Sequence, residues 1–487
     1  MPGGRYARAM NITLSNAGPG KGLSHATVFV WLFAVAAIWH YTSSSTDIAS
    51  YWFRYDPLVT PLVFLSIATA FIAAVFPAKT FALLLFAGGQ LLAIVLRFPH
   101  VADHLVMELF LNLSILLSFA YLAVKRRTFN VTTEDMFALF SPVGRWLLII
   151  MYFFGTFHKI NPGFMTPLSS CAVPFIEGFP LPQALLDQSW LQYAAIYGTL
   201  ILESIAMLLL LSARTKYFGM LLGMSFHFII GISGFGTLAH FSAFALTLHT
   251  LFLPSGFGER IYQDPLVPEF IRKPGAFQAL TIGLIVLQVV LALHLGITRQ
   301  VYLVNALFGT FALILMYLVF KHGQMQKTDA PYRLKSSLVP LNLIPVWFFV
   351  HCLSPYIGLG TGGTIAMFSG LRTEGGISNH YLVRKPPYLF PYQQKVVHIL
   401  SATNPSLQAA AADGQGLVMF DFQRHFTQRE NLLLPLTLRI DDVTYELNSL
   451  DAAQAFINEH FEEQSWLARK YMSFRLVDDP RPNRCRH

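Results

Sequence analysis

The stretch "YFFGTFHKINPGFM", Tyr152 to Met165, ends an apolar run in a histidine and a lysine and then turns at Asn-Pro-Gly. A dry pocket disfavours the charged form of a lysine, so Lys159 there could serve as a base. At a membrane surface the same residue could instead be an anchor whose head snorkels to water. Further ionisable groups sit inside apolar runs, where each is costly and therefore a candidate site. His100, His104 and Glu108 follow one another at i, i+4 and i+8, which places them on one helix face. That stripe suits either a hydrogen-bonded relay or a metal, although its spacing is weaker than a metalloprotease helix motif. Glu203 lies about ten residues into its run with no basic neighbour in sequence, so it must meet a cation in space or hold a proton. His227 stands mid-run, with His240 and His249 in the next one. Each of these histidines also has a plain structural reading.

These groups need elements to hold them, and the composition names those elements. The chain has 487 residues, 54% hydrophobic and 12% charged. Soluble domains carry about 25% charged residues. Apolar stretches near 25–41, 57–76, 80–97, 104–124, 142–160, 193–212, 217–234, 237–253, 276–295, 301–320 and 338–356 suit helices crossing roughly 30 Å of hydrocarbon. The expected fold is an all-α polytopic membrane bundle of about eleven spans, with nine to twelve allowed, occupying residues 25–356. Arg5, Arg8 and Lys21 precede the first run, which reads as a retained helix rather than a cleaved signal peptide. Lys125 to Arg127, Arg214 to Lys216, Arg260, Arg272, Lys273 and the "KHGQMQK" loop fall on the same side as that N-terminal segment of 1–24. Positive charge marks that side as cytoplasmic. The net charge of +8 then reflects cytoplasmic loops and contact with anionic lipid, and no nucleic-acid motif is present.

The opposite face receives the loop 161–192, which is proline-rich yet apolar. It reads either as a segment covering a cavity mouth or as a connector anchored by Trp190. A glycine-rich segment, 357–382, follows the last span and holds Arg372, Glu374 and His380. It lacks the spacing of a phosphate-binding loop. Residues 383–487 change character. "KVVHIL", "GLVMFDF" and "LTLRIDDVTYEL" alternate like strands, and 449–472 reads as one amphipathic helix capped by Ser449 or Asp451. A small outward-facing α+β domain is expected. "AAAADGQG" reads as a turn or loop. Three cysteines without a CxxC pair point to no zinc or iron-sulfur centre. Cys171 and Cys352 both fall near the outer face, where a disulfide between them is allowed; the other reading is two buried thiols.

Taken together, these motifs resemble the membrane domain of the vitamin K-dependent gamma-carboxylase family, called the HTTM domain in bacterial sequences. "YFFGTFHKINPGFM" resembles the segment that holds the family's base lysine, which falls on Lys159. His158 stands where the family often has a second lysine. "ADHLVMELFLNLSILL" resembles the helix whose histidine supports the base, here His104, although Ala102 and Asp103 replace the usual asparagines. "YGTLILESIAMLLLLSARTKYFGMLLGMSFHFIIG" resembles the family's acidic helix, basic turn and Phe-His helix, with Glu203, Arg214 and His227. "TIAMFSGLR" resembles the closing segment. The likeness covers about residues 25–385. The large propeptide-binding domain of the animal enzymes has no counterpart, which puts a glutamyl substrate in doubt.

The resemblance implies an integral membrane enzyme of a bacterial inner (plasma) membrane. Its cosubstrates would be a reduced quinone (vitamin K hydroquinone or menaquinol-like), O2 and CO2, with no metal. Its partners would be the lipid bilayer and a protein or peptide on the outer side. Lys159, His104 and His227 would be catalytic. His158, Phe157, Glu108, Glu203 and Arg372 would line the quinone pocket, with Phe153 and Phe226 suited to its ring. The base generated from the quinol is quenched by water, so the site must be dry and open to lipid. Two other readings stand beside this one. A non-enzymatic carrier or lipid-binding protein would use Glu203, His104 and His227 as a proton relay. An assembly partner would use the tail as a docking surface.

Overall fold

The computed structural model describes residues 23–43, 59–99, 101–233, 238–294, 297–424, 426, 434–477 and 485. His100 and the basic residues Arg5, Arg8 and Lys21 lie outside them. Eleven helices form the main body: α1 His25–Ser43, α2 Val59–Val75, α3 Thr80–Arg97, α4 Asp103–Arg126, α5 Thr133–Phe157, α6 Ser189–Leu210, α7 Lys216–Ile232, α8 Leu238–Thr250, α9 Pro274–His294, α10 Ile297–His322 and α11 Leu343–Cys352. Each coincides with one of the expected apolar runs. Six of them, α1, α3, α4, α5, α6 and α10, are long and apolar enough to cross a membrane. Four are shorter apolar helices, and α8 has only 13 residues. Length therefore supports six spans among the described residues rather than eleven.

Helices α1, α4 and α5 form the centre. Phe29 and Phe33 of α1 and Phe140 and Phe154 of α5 are fully buried. α1 packs on α2 and α8, and α5 packs on α4, α6 and α11. α5 starts well because Thr132 accepts a hydrogen bond from the Asp135 N–H at 3.2 Å, with Glu134 and Asp135 in its first turn. The outer helices carry large apolar side chains on their exposed faces, such as Ile201, Ile205 and Leu208 of α6 and Leu313, Ile314 and Phe320 of α10. Contiguous apolar surface of this kind suits lipid, not water.

Between α5 and α6 the chain makes three short helices, Pro162–Met165, Ala172–Glu177 and Gln183–Leu186. Phe164, Ala172 and Val173 pack on Ile196 of α6, so this segment is a packed cover. After α11, residues 358–382 run without regular structure across the end of α5 and reach the C-terminal unit. That unit holds an antiparallel sheet in the order β2-β1-β3-β4, with β1 Val396–Ala402, β2 Gly416–Val418, β3 Leu436–Ile440 and β4 Val443–Leu447. Its helices are α12 Pro405–Ala412, α13 Leu450–His460 and α14 Trp466–Tyr471.

Four expectations need correction. "GLVMFDF" is a strand only to Val418; residues 419–424 are helical, with Met419, Phe422 and Phe426 in the domain core. The four alanines of "AAAADGQG" end α12, and the turn is confined to residues 413–414, with Gly414 at positive φ. The helix over 449–472 is two: Ser449 caps α13, the chain extends at Phe461, and Ser465 caps α14 by accepting from the Ala468 N–H. Finally, Cys171 bonds to Cys485 and not to Cys352. Cys352 ends α11 with its side chain fully buried in the bundle core, out of reach of the loop.

Candidate functional site

The Asn-Pro-Gly turn shapes the ground beneath Lys159. Asn161 caps the next short helix, its Oδ1 accepting from the Phe164 N–H at 3.0 Å, with Pro162 at the first helical position. Its Nδ2 donates to His158 O at 2.7 Å and to Ser369 O at 2.8 Å. Gly163 lets the closing segment come close: a Cβ there would stand 2.8 Å from Gly370 O. His380 Nε2–H donates to Phe157 O at 2.8 Å, while its Nδ1 accepts from the Leu382 and Val383 N–H groups. The Tyr381 N–H donates to Ile160 O at 3.0 Å. The end of α5 is thus tied on both sides.

Lys159 projects from this tied turn to Glu203 of α6. Its Nζ donates to both carboxylate oxygens, at 2.7 and 2.6 Å, and both side chains are about nine-tenths buried. The Phe164 ring lies 5.5 Å from the ammonium. Gly155 of α5 faces the carboxylate, and a Cβ there would make an ordinary contact with Glu203 Oε1 at 3.6 Å. The partner that Glu203 requires is therefore Lys159, and the pairing gives the lysine two hydrogen-bond acceptors in an apolar zone.

The pair lines a cavity with about 70 Å³ open to the centre of a water-sized sphere. Asp103 and His227 are its other ionisable walls; Met151, Phe226, Leu238 and Phe241 are apolar ones. Both ring nitrogens of His227 are buried without a hydrogen-bond partner. The closing segment contributes Ile365, Met367 and Phe368. Ile365 and Phe368 sit at φ of 59° and 61°, a left-handed conformation that costs a branched or bulky residue energy. Asp103 helps fix this segment by accepting from the Met367 N–H at 3.1 Å.

Behind His227 lies a dyad that sequence reasoning left unassembled. His249 Nδ1–H donates to Ala245 O at 2.7 Å, so its Nε2 accepts from the Tyr152 hydroxyl at 3.0 Å. The His249 ring lies 5.7 Å from that of His227. Gly223 makes the space, because a Cβ there would come within 2.2 Å of His249 Nε2.

Of the predicted site residues, Lys159, Glu203, His227 and Phe226 meet at the cavity. His104 does not line it. Its ring is 6.1 Å from that of Phe241, which lies between it and His227, 5.4 Å on the other side. Glu108 is buried one turn further along α4, away from the lining. His158 Nδ1–H donates to Ile365 O at 3.2 Å. Phe157 stacks on Phe153 at 5.6 Å and meets the His380 ring at a tilt, 4.5 Å between centroids. Neither lines the cavity. Arg372 is half-buried in the closing segment, its backbone N–H donating to Asn379 Oδ1 at 2.9 Å. The signal for Asp103 was its place beside His104; for Tyr152 it was the opening motif itself. Comparison with known proteins yields no matching family model, no similar curated protein and no similar solved structure.

Proposed function

We propose that the cavity is the proton-transfer centre of a membrane enzyme of the vitamin K-dependent gamma-carboxylase type, acting on a lipid-soluble reduced quinone. One observation carries the reading: a buried, doubly hydrogen-bonded lysine-carboxylate pair shares a small, largely apolar cavity with a histidine whose two nitrogens have no partner. Within such a pair a proton can shift between nitrogen and oxygen with no change in the net charge of a dry site, and the carboxylate can accept a proton from a ligand hydroxyl. His227 offers one N–H and one lone pair to a ligand oxygen.

The walls fit part of a quinol. Apolar side chains suit its ring, and Lys159, Glu203 and His227 suit its hydroxyls. The volume is tight, since an apolar cavity of roughly 150 Å³ is one that admits benzene. Entry of the ring therefore needs Phe226 or the closing segment to move. In the resembling family the reduced quinone, with O2, supplies the strong base, and CO2 traps the carbanion. In this chain the Glu203 carboxylate takes the hydroxyl proton. The Lys159 ammonium, held by that same carboxylate, faces the oxygen from which the proton left. The base is thus the pair and not a lone amine. His227 orients the ligand oxygen, and the Tyr152–His249 dyad backs the histidine.

The setting we propose is a bacterial inner membrane, with the N-terminus cytoplasmic and the C-terminal domain outside. The Cys171–Cys485 disulfide supports an oxidising location for both the cover segment and the tail.

The test is oxygen uptake and labelled-bicarbonate fixation by the full chain in lipid nanodiscs supplied with reduced menaquinone. Quinol-dependent uptake above autoxidation is expected, falling at least ~100-fold in Lys159→Met, within the range for loss of an acid–base group. A carrier would keep quinone or proton flux in Lys159→Met and lose it in Glu203→Gln. That pattern, or no uptake by the native chain, would overturn the enzymatic reading.

A further inference from the structure

Next to the cavity, on the other side of Phe241, three histidines from three helices converge: His40 near the end of α1, His104 at the start of α4 and His240 in α8. One ring nitrogen from each lies within 4.8 Å of the others. The rings contact pairwise, with centroids 4.7 Å apart for His40 and His104, 4.9 Å for His40 and His240, and 5.1 Å for His104 and His240. His40 and His104 are buried and His240 is half-buried. The metal reading open in the sequence was a stripe of His100, His104 and Glu108 along one helix; this cluster shares only His104 with it and joins three helices.

The hydrogen bonding of the cluster is incomplete. Three neutral imidazoles carry three N–H donors and three lone pairs. One contact uses two of these six, His104 Nε2 to His40 Nδ1 at 3.0 Å. His40 Nε2, His104 Nδ1 and His240 Nδ1 are buried without a partner. Buried ring nitrogens left unpaired are costly. A carboxylate would hold these rings as imidazolium cations; the cluster instead offers lone pairs.

We propose that His40, His104 and His240 bind one divalent first-row transition metal ion of the zinc or cobalt class. Imidazole is a preferred ligand for these ions. Metal–nitrogen bonds of about 2.0–2.1 Å place tetrahedral nitrogen ligands roughly 3.3 Å apart. His104 Nε2 and His40 Nδ1, 3.0 Å apart, are already near that spacing, and an ion between them would replace the hydrogen bond they share rather than bind the nitrogens on the far side of these two rings. The widest pair, at 4.8 Å, closes with about 1.5 Å of ring movement. Three histidines leave a fourth position open, the pattern of a catalytic rather than a structural ion. Arg97 stands nearby, its guanidinium 5.9 Å from the centre of the Tyr41 ring. Its positive charge opposes a bare divalent cation and is offset by an anionic fourth ligand such as hydroxide.

The inference does not rest on the proposed quinol chemistry, and its readout is binding. The full chain, purified in detergent and stripped by chelator, is titrated with Co2+ while d–d absorption is followed. Bound zinc is counted separately by elemental analysis after Zn2+ loading. About one ion per chain is expected. His240→Ala, at the most exposed of the three ligands, and His104→Asn should each weaken binding at least ~10-fold, the lower end for loss of a metal-site group. His460→Gln in the C-terminal domain should not. Absence of stoichiometric binding at micromolar metal, or binding unchanged in both ligand variants, overturns the proposal. A folded His240→Ala chain with unchanged circular dichroism keeps the comparison sound.

Discussion

Replacing Lys159 by methionine removes an ammonium that donates to two carboxylate oxygens at 2.6–2.7 Å within a nine-tenths-buried pair. At an effective dielectric constant near 20, unit charges about 2.7 Å apart attract by roughly 6 kcal/mol. Desolvation of both groups offsets much of that. What remains for the single variant is a buried carboxylate with no partner, a loss of about 3–5 kcal/mol. Glu203→Gln strands the lysine in the same way. The double variant Lys159→Met/Glu203→Gln strands neither, and removal of a whole buried pair is often close to neutral. The cycle should therefore be strongly non-additive, with the double variant at least as stable as either single one. Unfolding of the full chain in mixed detergent micelles, followed by far-ultraviolet circular dichroism, measures all four corners. Additive losses would refute the reasoning, because they would mean that the two side chains do not share one buried contact. The same variants separate structure from chemistry: the double variant should be folded yet inactive in quinol-dependent oxygen uptake.

Further outcomes follow from other contacts. Gly223→Ala would push a methyl to 2.2 Å from His249 Nε2 and 2.6 Å from the Tyr152 hydroxyl. Overpacking of this kind costs about 1–3 kcal/mol and should lower the micelle unfolding midpoint, whereas Gly198→Ala, with open space around it, should not. Arg145→Leu leaves Leu251 O without its 2.8 Å donor and Arg333 O without its own, a loss of about 1.5–3 kcal/mol per charged hydrogen bond in the same assay. Thiol labelling of the native, unreduced chain should modify no cysteine. Denaturation should expose one, Cys352, and reduction all three. In the C-terminal domain, burial pushes the Asp421 carboxyl from 3.8 up to about 6, outweighing the Arg424 guanidinium 2.8 Å away. The folded state then binds this proton more tightly than the unfolded chain does. The stability it contributes is full below about pH 4 and is lost as pH rises through about 6. Amide exchange in β1 and β3, corrected for intrinsic rates, should show that slope, and Asp421→Asn should flatten it.

The positions of the helices were legible because long apolar runs have few alternatives. Their number as spans was not, because α8 and α11 are too short to cross alone and owe their burial to neighbours. The single strand expected over "GLVMFDF" failed for a physical reason: Met419, Phe422 and Phe426 fall at helical spacing while Val418 and Phe420 face a second small cluster. A short apolar run permits both periods. At the site, Glu203 announced a need for a cation but could not name one 44 residues away. His40, which the sequence did not single out, meets His104 of α4 through a single ring–ring hydrogen bond that no local pattern announces. The partner of Cys171 was not legible because nothing local tells where a C-terminal tail returns, while Cys352 is the buried thiol that the other reading allowed.

That returning tail also explains how a cavity lined by left-handed Ile365 and Phe368 stays in place. Arg475, just past α14, donates to Ala366 O at 3.0 Å, between the two strained residues, and to Leu371 O at 2.8 Å, beyond them. Ser473 O accepts from the Thr361 and Gly362 N–H groups. Lys470 reaches the end of α3, donating to Leu96 O at 2.7 Å. Each contact satisfies a carbonyl or N–H that an irregular segment beside lipid would otherwise leave open. The C-terminal domain thus acts on the cavity through the closing segment's backbone, without a side chain in the lining. Arg475→Ala should then raise amide exchange across 361–371 while leaving α5 protected. Equal exchange in the variant and the native chain would mean that the closing segment holds its shape unaided.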